Sequence, residues 1–487
     1  MLARLPLLTG AAVLAGAAAL FFAAWEPAIG LGLAVLLGPA RAYLAIAAPD
    51  VPDPGQLFFG LAAAGWLARG LLRRDLRLPR SPLLGLLAIY LGVGLVSQLN
   101  GTALEEGLKE LIKWAEIALG LVIGADEARR GRARGLVAAL VLAGLAQGGL
   151  AVYQSQLRGT GPEHFRLGDG SYRAYGSFEQ PNPLGGFLGL LWPVAAGLAW
   201  AALEPLVWAR WGQVRAQVRA WLRLDWERTP PPARPPAWRR YALGVSLGGA
   251  ALVMLGGLFF SYSRGAWLGA AAAGVALVAA LPRRWWAGLA LVTAGGALAL
   301  GLRQAGLLPA GIANRLADVA DFTSVTDVRG VNINDANFAI VERLAHWQAA
   351  EGMARDYPWL GVGLGNYGAA YPRYALLNWP NALGHAHMIY LNVLAETGVV
   401  GLAAYVLLWG LVFAQTLRLI GRSRGWERGL ALGLLGAWVH LSAHQVVDNL
   451  YVNNIHFTLA VLLGLLAAPA AFGPTPDRKE TVTACLV

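Results

Sequence analysis

Apolar runs of about 20 residues, each long enough to cross roughly 30 Å of hydrocarbon as a helix, recur along this chain between short polar stretches. They lie near residues 6–25, 27–47, 56–72, 82–99, 107–125, 134–153, 183–203, 241–261, 265–281, 285–302, 388–417, 428–447 and 456–472. This pattern predicts an all-α integral membrane protein with thirteen candidate spans. Arginines gather in the short loops between runs: Arg69, Arg73, Arg74, Arg77 and Arg80; Arg129, Arg130, Arg132 and Arg134; Arg283 and Arg284; Arg418, Arg422, Arg424 and Arg428. The positive-inside bias makes these loops cytoplasmic, so residues 100–106, 154–182, 303–387 and 448–455 face outward. Pro39 and Arg41 interrupt the second run, which reduces the expected number of spanning helices to about twelve, with both chain ends inside.

The same alternation divides the chain. Residues 1–302 form an N-terminal transmembrane bundle, 303–387 a large outward loop, 388–473 the C-terminal membrane helices and 474–487 a short cytoplasmic tail. Within the cytoplasmic loop 204–240, Arg215, Arg219 and Arg223 recur every fourth position beside Val214, Val218, Trp221 and Leu222. That spacing fits a basic amphipathic helix on anionic headgroups, or a solvated linker, and Pro230–Pro232 with Pro235 and Pro236 end it. The outward loop holds a helical pattern, Ile340, Leu344 and Trp347, that stops at Tyr357-Pro358 and gives way to a glycine-broken turn, Gly361-Val-Gly363-Leu-Gly365-Asn366-Tyr367.

Composition narrows the classes. The 487 residues are 57% hydrophobic and 14% charged, with a mean hydropathy of +0.51, which excludes an ordinary soluble domain. A net charge of +11 suggests nucleic acid at first sight. The arginines sit in loops between apolar runs, however, so they are read as topology signals and no nucleic-acid partner is expected. Cys485 is the single cysteine, which excludes an intrachain disulfide and a cysteine-based metal site. The apolar first 25 residues are expected to stay as an anchor.

Three residues at the outer boundary carry candidate chemistry. Arg264, in Ser261-Tyr-Ser263-Arg264-Gly265-Ala-Trp267, has little loop around it and must snorkel or meet an anion. Arg343 lies on the helical part of the outward loop, where pairing with Glu342 is the plainer alternative. His387, in Gly384-His-Ala-His387, stands where the chain enters an apolar run, a place where a histidine also simply bonds headgroups. Taken together they suit glycosyl transfer from a lipid diphosphate: guanidinium forks grip phosphate oxygens, and a neutral imidazole accepts the proton of an attacking hydroxyl. His440 and His444 share a helix face with Asp448 one turn on, a spacing open to a metal. Packing is the preferred reading there, and with no Asp-x-Asp in the chain neither a metal nor a cofactor is expected.

These segments resemble the O-antigen ligase and polymerase superfamily of bacterial inner-membrane glycosyltransferases, which includes protein oligosaccharyltransferases. Ser263 to Trp267 is similar to its Ser-Arg-Gly segment, and Arg343 to Tyr367 to the start of its large periplasmic loop. His387 to Gly401, with Glu396 and Gly398, is similar to its His-Asn element, from which Met388 departs. The resemblance implies a GT-C-like bundle in the inner membrane with its site at the periplasmic face. It implies that Arg264 and Arg343 bind the donor's diphosphate and that His387 assists the acceptor, with Arg173 and Tyr367 as further contacts to diphosphate or glycan. The implied donor is an undecaprenyl-diphosphate glycan, and the reaction is metal-independent and inverting. Its acceptor is lipid A core or a similar glycolipid, with a growing polysaccharide or a protein as alternatives. A transporter or flippase of lipid-linked oligosaccharide is the rival from another class.

Overall fold

The computed structural model describes residues 7–168, 170–222, 238–306, 327–333 and 337–468. Among them the chain is helical, with no β-strand. Apolar runs have this outcome because away from water each peptide group must find its partner inside its own helix. In chain order the helices are α1 (Leu7–Trp25), α2 (Pro27–Leu37), α3 (Arg41–Ala47), α4 (Pro54–Leu72), α5 (Pro82–Ser97), α6 (Leu104–Glu127), α7 (Ala133–Val152), α8 (Pro181–Leu222), α9 (Trp238–Phe260), α10 (Arg264–Ala280), α11 (Trp285–Gln304), α12 (Phe338–Asp356), α13 (Ile389–Arg422), α14 (Gly425–His444) and α15 (Ile455–Leu466). On length and composition alone, 7 helical stretches can cross a membrane, and Leu14–Trp25, Arg264–Ala280 and Ile455–Leu466 are shorter apolar helices.

α14 packs against α8 and α10, α9 against α7 and α8, and α15 against α6. Glycines set the spacing, since lipid offers no hydrophobic drive between helices and close van der Waals approach must supply the attraction. A Cβ on Gly197 would fall 2.2 Å from the Gly429 carbonyl oxygen, so α8 and α14 touch backbone to backbone.

The bundle has two polar ends. At the arginine-rich end, Arg132 donates to Glu26 at 2.6 Å, Arg130 to Asp126 at 2.9 Å and to Asp75 at 3.1 Å, and Arg69 pairs with Glu127. Arg428 donates to the carbonyls of Ala280 and Leu281 at 3.0 and 2.8 Å, satisfying the end of α10. Arginines read as topology signals therefore also close helix ends.

The second apolar run differs from expectation. Pro39 sits in a single 3₁₀ turn, Gly38–Ala40, and does not end the helical course. The run starts at Glu26, within the arginine layer, and reaches Gly38, whose carbonyl accepts from Asn454 Nδ2 at 3.3 Å at the opposite end. Pro27–Ala47 is accordingly among the stretches long and apolar enough to cross a membrane. α8 continues through Arg215 as far as Leu222, so this part of the 204–240 segment extends a membrane helix. Arg223, the proline clusters, the tail 474–487 and parts of the large loop lie outside the described residues.

At the other end the large loop is locked to the bundle by backbone hydrogen bonds. Gly398 breaks α13 with φ 64° and ψ −168°. The amides of Val362 and Gly363 donate to the carbonyls of Ala395 and Glu396, both at 2.9 Å, and Val399 donates to Pro358 at 2.8 Å. The same turn plugs into α5 and α6: Thr102 and Ala103 donate to Asn366 Oδ1 at 2.9 and 2.7 Å, and Leu364 donates to Ser97 Oγ at 3.0 Å. The glycine turn is an anchor that fixes where α12 lies.

Candidate active site

α12 places Arg343 and His346 one turn apart on the side facing the start of α13. The His385–His387 segment is pinned from three directions. Ile389 donates to the Gln445 carbonyl at 3.0 Å, Tyr390 Oη to the Ser442 carbonyl at 3.0 Å, and Ala386 to Asn392 Oδ1 at 3.0 Å. These bonds carry His387 to the end of α14, where its Nδ1 lies 3.9 Å from Asp448 Oδ1. The His387 backbone adopts φ 53° and its amide donates to His385 Nδ1 at 3.1 Å. Outside glycine that conformation costs about 1–3 kcal/mol and persists only where surroundings impose it.

Both ring nitrogens of His387 are buried and have no hydrogen-bond partner. Burial, then His385, Arg343 and His346, push its pKa down to about 2. Burial likewise holds His346 at about 4, and burial with His346, Lys113 and Arg343 holds His385 at about 4. All three imidazoles are neutral near pH 7. Asp448, 7% exposed, is pushed up by burial and drawn back by Arg343, the Asn449 amide and Asn182.

A second wall comes from the earlier polar loop. Arg173 Nε donates to the Ser261 carbonyl at 3.0 Å and its Nη2 to Asn182 Oδ1 at 3.3 Å. Ala174 donates to the Phe260 carbonyl at 2.8 Å. Ser261 and Ser263 shape the α9–α10 turn: Ser263 donates its amide to Ser261 Oγ at 3.2 Å and caps α10 by accepting from Ala266. Arg264 opens α10 exposed. A Cβ on the next residue, Gly265, would meet His444 at 2.5 Å, so the start of α10 lies against the end of α14. Asn182, bonded to Asp448 on one side and Arg173 on the other, joins the two walls.

Three of the residues singled out from the sequence are thus held around one locus, Arg343 and His387 on one wall and Arg173 on the other, and Arg264 opens α10 next to the Gly265 that lies against His444. Tyr367 stands apart. It is 0% exposed, its hydroxyl donates to the His346 carbonyl at 3.1 Å and lies 2.9 Å from His346 Nδ1, and its amide donates to Glu396. It backs the wall that carries His346. His440 fills a notch between α8 and α10, where a Cβ on Gly189 would fall 1.8 Å from its ring and one on Gly269 2.8 Å. Sequence reasoning passed over Asp448 as a partner of His387, because 60 residues separate them and the nearer His444 drew attention. Asn182, at the Pro-Asn end of its loop, was the one local signal of the link to Arg173. Met388 caps α13 without a side-chain bond, and Asn392 supplies the amide oxygen nearby.

Residues 249–406 match the family described as O-antigen ligase. That match supports the O-antigen ligase and polymerase superfamily over this part of the chain. The matched stretch carries Arg264, Arg343 and His387 but neither Arg173, Asn182 nor Asp448. It supports a membrane glycosyltransferase of the ligase or polymerase type, and with the apolar helices it points to a bacterial inner membrane. No curated protein matches the chain.

Proposed function

We propose that this protein takes a glycan from undecaprenyl diphosphate and joins it to an acceptor hydroxyl, a lipid A core or similar glycolipid, at the periplasmic face. The observation that carries the reading is His387: a neutral imidazole with both nitrogens unpaired, beside a buried carboxylate and within the field of Arg343. The acceptor oxygen attacks the anomeric carbon as the bond to the diphosphate breaks, and the electron pair leaves with the diphosphate. Arg343, Arg264 and Arg173 meet the charge that develops there, which bidentate guanidinium groups do at any physiological pH. His387 takes the acceptor's proton. Asp448, 3.9 Å from Nδ1 in the free protein, closes on the ring to receive its Nδ1–H once substrates are seated, which leaves Nε2 for the acceptor and stabilises the imidazolium. Donor charge on Arg343 removes part of the pressure that holds the His387 pKa down, so the base strengthens once the donor is seated. A single displacement of this kind inverts the anomeric centre and needs no metal.

A polymerase or a protein oligosaccharyltransferase would use the same groups on another acceptor. The test is purified protein in lipid, supplied with undecaprenyl-diphosphate glycan and each class of acceptor, following released undecaprenyl diphosphate for wild type, His387→Ala and Arg264→Ala. Transfer by wild type that both folded variants lose supports the reading, and the acceptor used selects its branch. Donor that binds but is never consumed with any acceptor refutes it in favour of transport.

A further inference from the structure

His385, His387 and Asp448 each offer a ligand atom, and these atoms all lie within 4.8 Å of one another. We propose that they form a reversible inhibitory site for zinc, in which the ion occupies the lone pair that His387 needs for proton transfer; the inhibitory part of this inference rests on the function proposed above. Two imidazoles, one carboxylate and an open fourth position make a donor set typical of tetrahedral zinc. Zinc–ligand distances of about 2.0–2.1 Å put neighbouring ligands roughly 3.4 Å apart, so the three groups must close by about an ångström. Both ring nitrogens of His387 are buried and without a hydrogen-bond partner. His385 accepts the His387 amide through Nδ1 in the free protein; to coordinate through Nε2 the ring gives up that bond and carries its proton on Nδ1. Asp448 supplies the carboxylate oxygen that completes the group of three ligand atoms.

Arg343 works against a cation here and sets the character of the site. Its charge keeps affinity below that of a structural zinc site, so the ion comes and goes. Donor binds the arginines and zinc binds the base, so inhibition is non-competitive against donor.

The experiment uses the full-length protein in lipid nanodiscs with ZnCl2 as the probe and two readouts, equilibrium zinc binding and glycan transfer. His385→Asn keeps an acceptor near the Nδ1 position and removes Nε2. Wild type is expected to bind a single zinc ion and to stall reversibly, with chelator restoring turnover. His385→Asn is expected to lose zinc affinity about 10–100-fold or more, with the transfer it shows in zinc-free buffer no longer falling on addition of zinc, and Asp448→Asn to lose affinity likewise. Absence of zinc binding by wild type, equal binding by both variants, or zinc-saturated wild type that still transfers at full rate each overturns the proposal. Failure of the function itself is separate: wild type would then transfer nothing in zinc-free buffer, while the binding readout would still decide the site.

Discussion

Gly398→Ala probes the link between the large loop and the bundle. Gly398 has φ 64° and ψ −168°, a region open in practice only to glycine. A Cβ there would lie 2.2 Å from the Trp359 carbonyl carbon and 2.5 Å from the Leu360 nitrogen, and those atoms are backbone with no rotamer to yield. Relief requires either strain of about 1–3 kcal/mol at residue 398 or undocking of residues 358–363. Undocking gives up the bonds from Val362, Gly363 and Val399, together with the longer one from Val400 to Trp359. At about 0.5–1.5 kcal/mol net for each bond, the loss is about 2–6 kcal/mol. A shift of about 3 kcal/mol raises the undocked population more than a hundredfold. Because α12 carries Arg343, hydrogen exchange across residues 340–367 should accelerate and KM for donor should rise. The control is Gly410→Ala in the same helix, where a Cβ meets nothing within 4 Å; it should be neutral or slightly stabilising. If both variants exchange, melt and turn over alike, the interlock does not hold α12 in place and the reasoning fails.

Other outcomes follow from the same geometry. Because the His387 pKa is pushed down from 6.5 to about 2, the base stays neutral as pH falls; kcat/KM should show no histidine limb near pH 6.5, and Arg343→Gln, which removes one of the depressing charges, should move the acid limb upward. Asp448→Asn should lower kcat about 10²-fold with little change in KM for donor, whereas a purely structural role would lower the melting temperature without that split. Tyr367→Phe separates backing from substrate contact: losing the hydroxyl bonds to His346 should cost about 1–3 kcal/mol of stability and leave KM for donor unchanged, and a raised KM would return Tyr367 to the substrate site.

Much of this was legible in the chain itself. Period, length and arginine placement predicted the helices because in lipid those signals face little competition from tertiary context. Arg264, Arg343 and His387 stood out because charge at a lipid boundary is costly and therefore purposeful. Contacts made by backbone were not legible. Nothing in Gly361-Val-Gly363 announces that its amides pair with carbonyls released at Gly398, and Asn366 does not reveal that it binds Thr102 and Ala103. Pro39 shows a related limit: a proline usually marks a helix end, yet here a 3₁₀ turn absorbs it, and the Gly38 carbonyl accepts from both the Arg41 amide and Asn454 Nδ2. Asp448 and Asn182 were hidden because their roles exist only once three distant segments meet.

The clasp at Asn454 has a consequence for biosynthesis. Its amide bonds Asp53 at 2.8 Å across 401 residues of sequence, and Asp448 enters the locus only a few positions earlier. A ribosome translating this protein therefore threads nearly the whole polypeptide into the membrane before the residues that orient His387 exist. Under the function proposed above, a nascent or prematurely terminated product, even one that already carries all three arginines and the histidine, lacks the carboxylate that orients the base. On that reading, activity waits for the synthesis of Asp448.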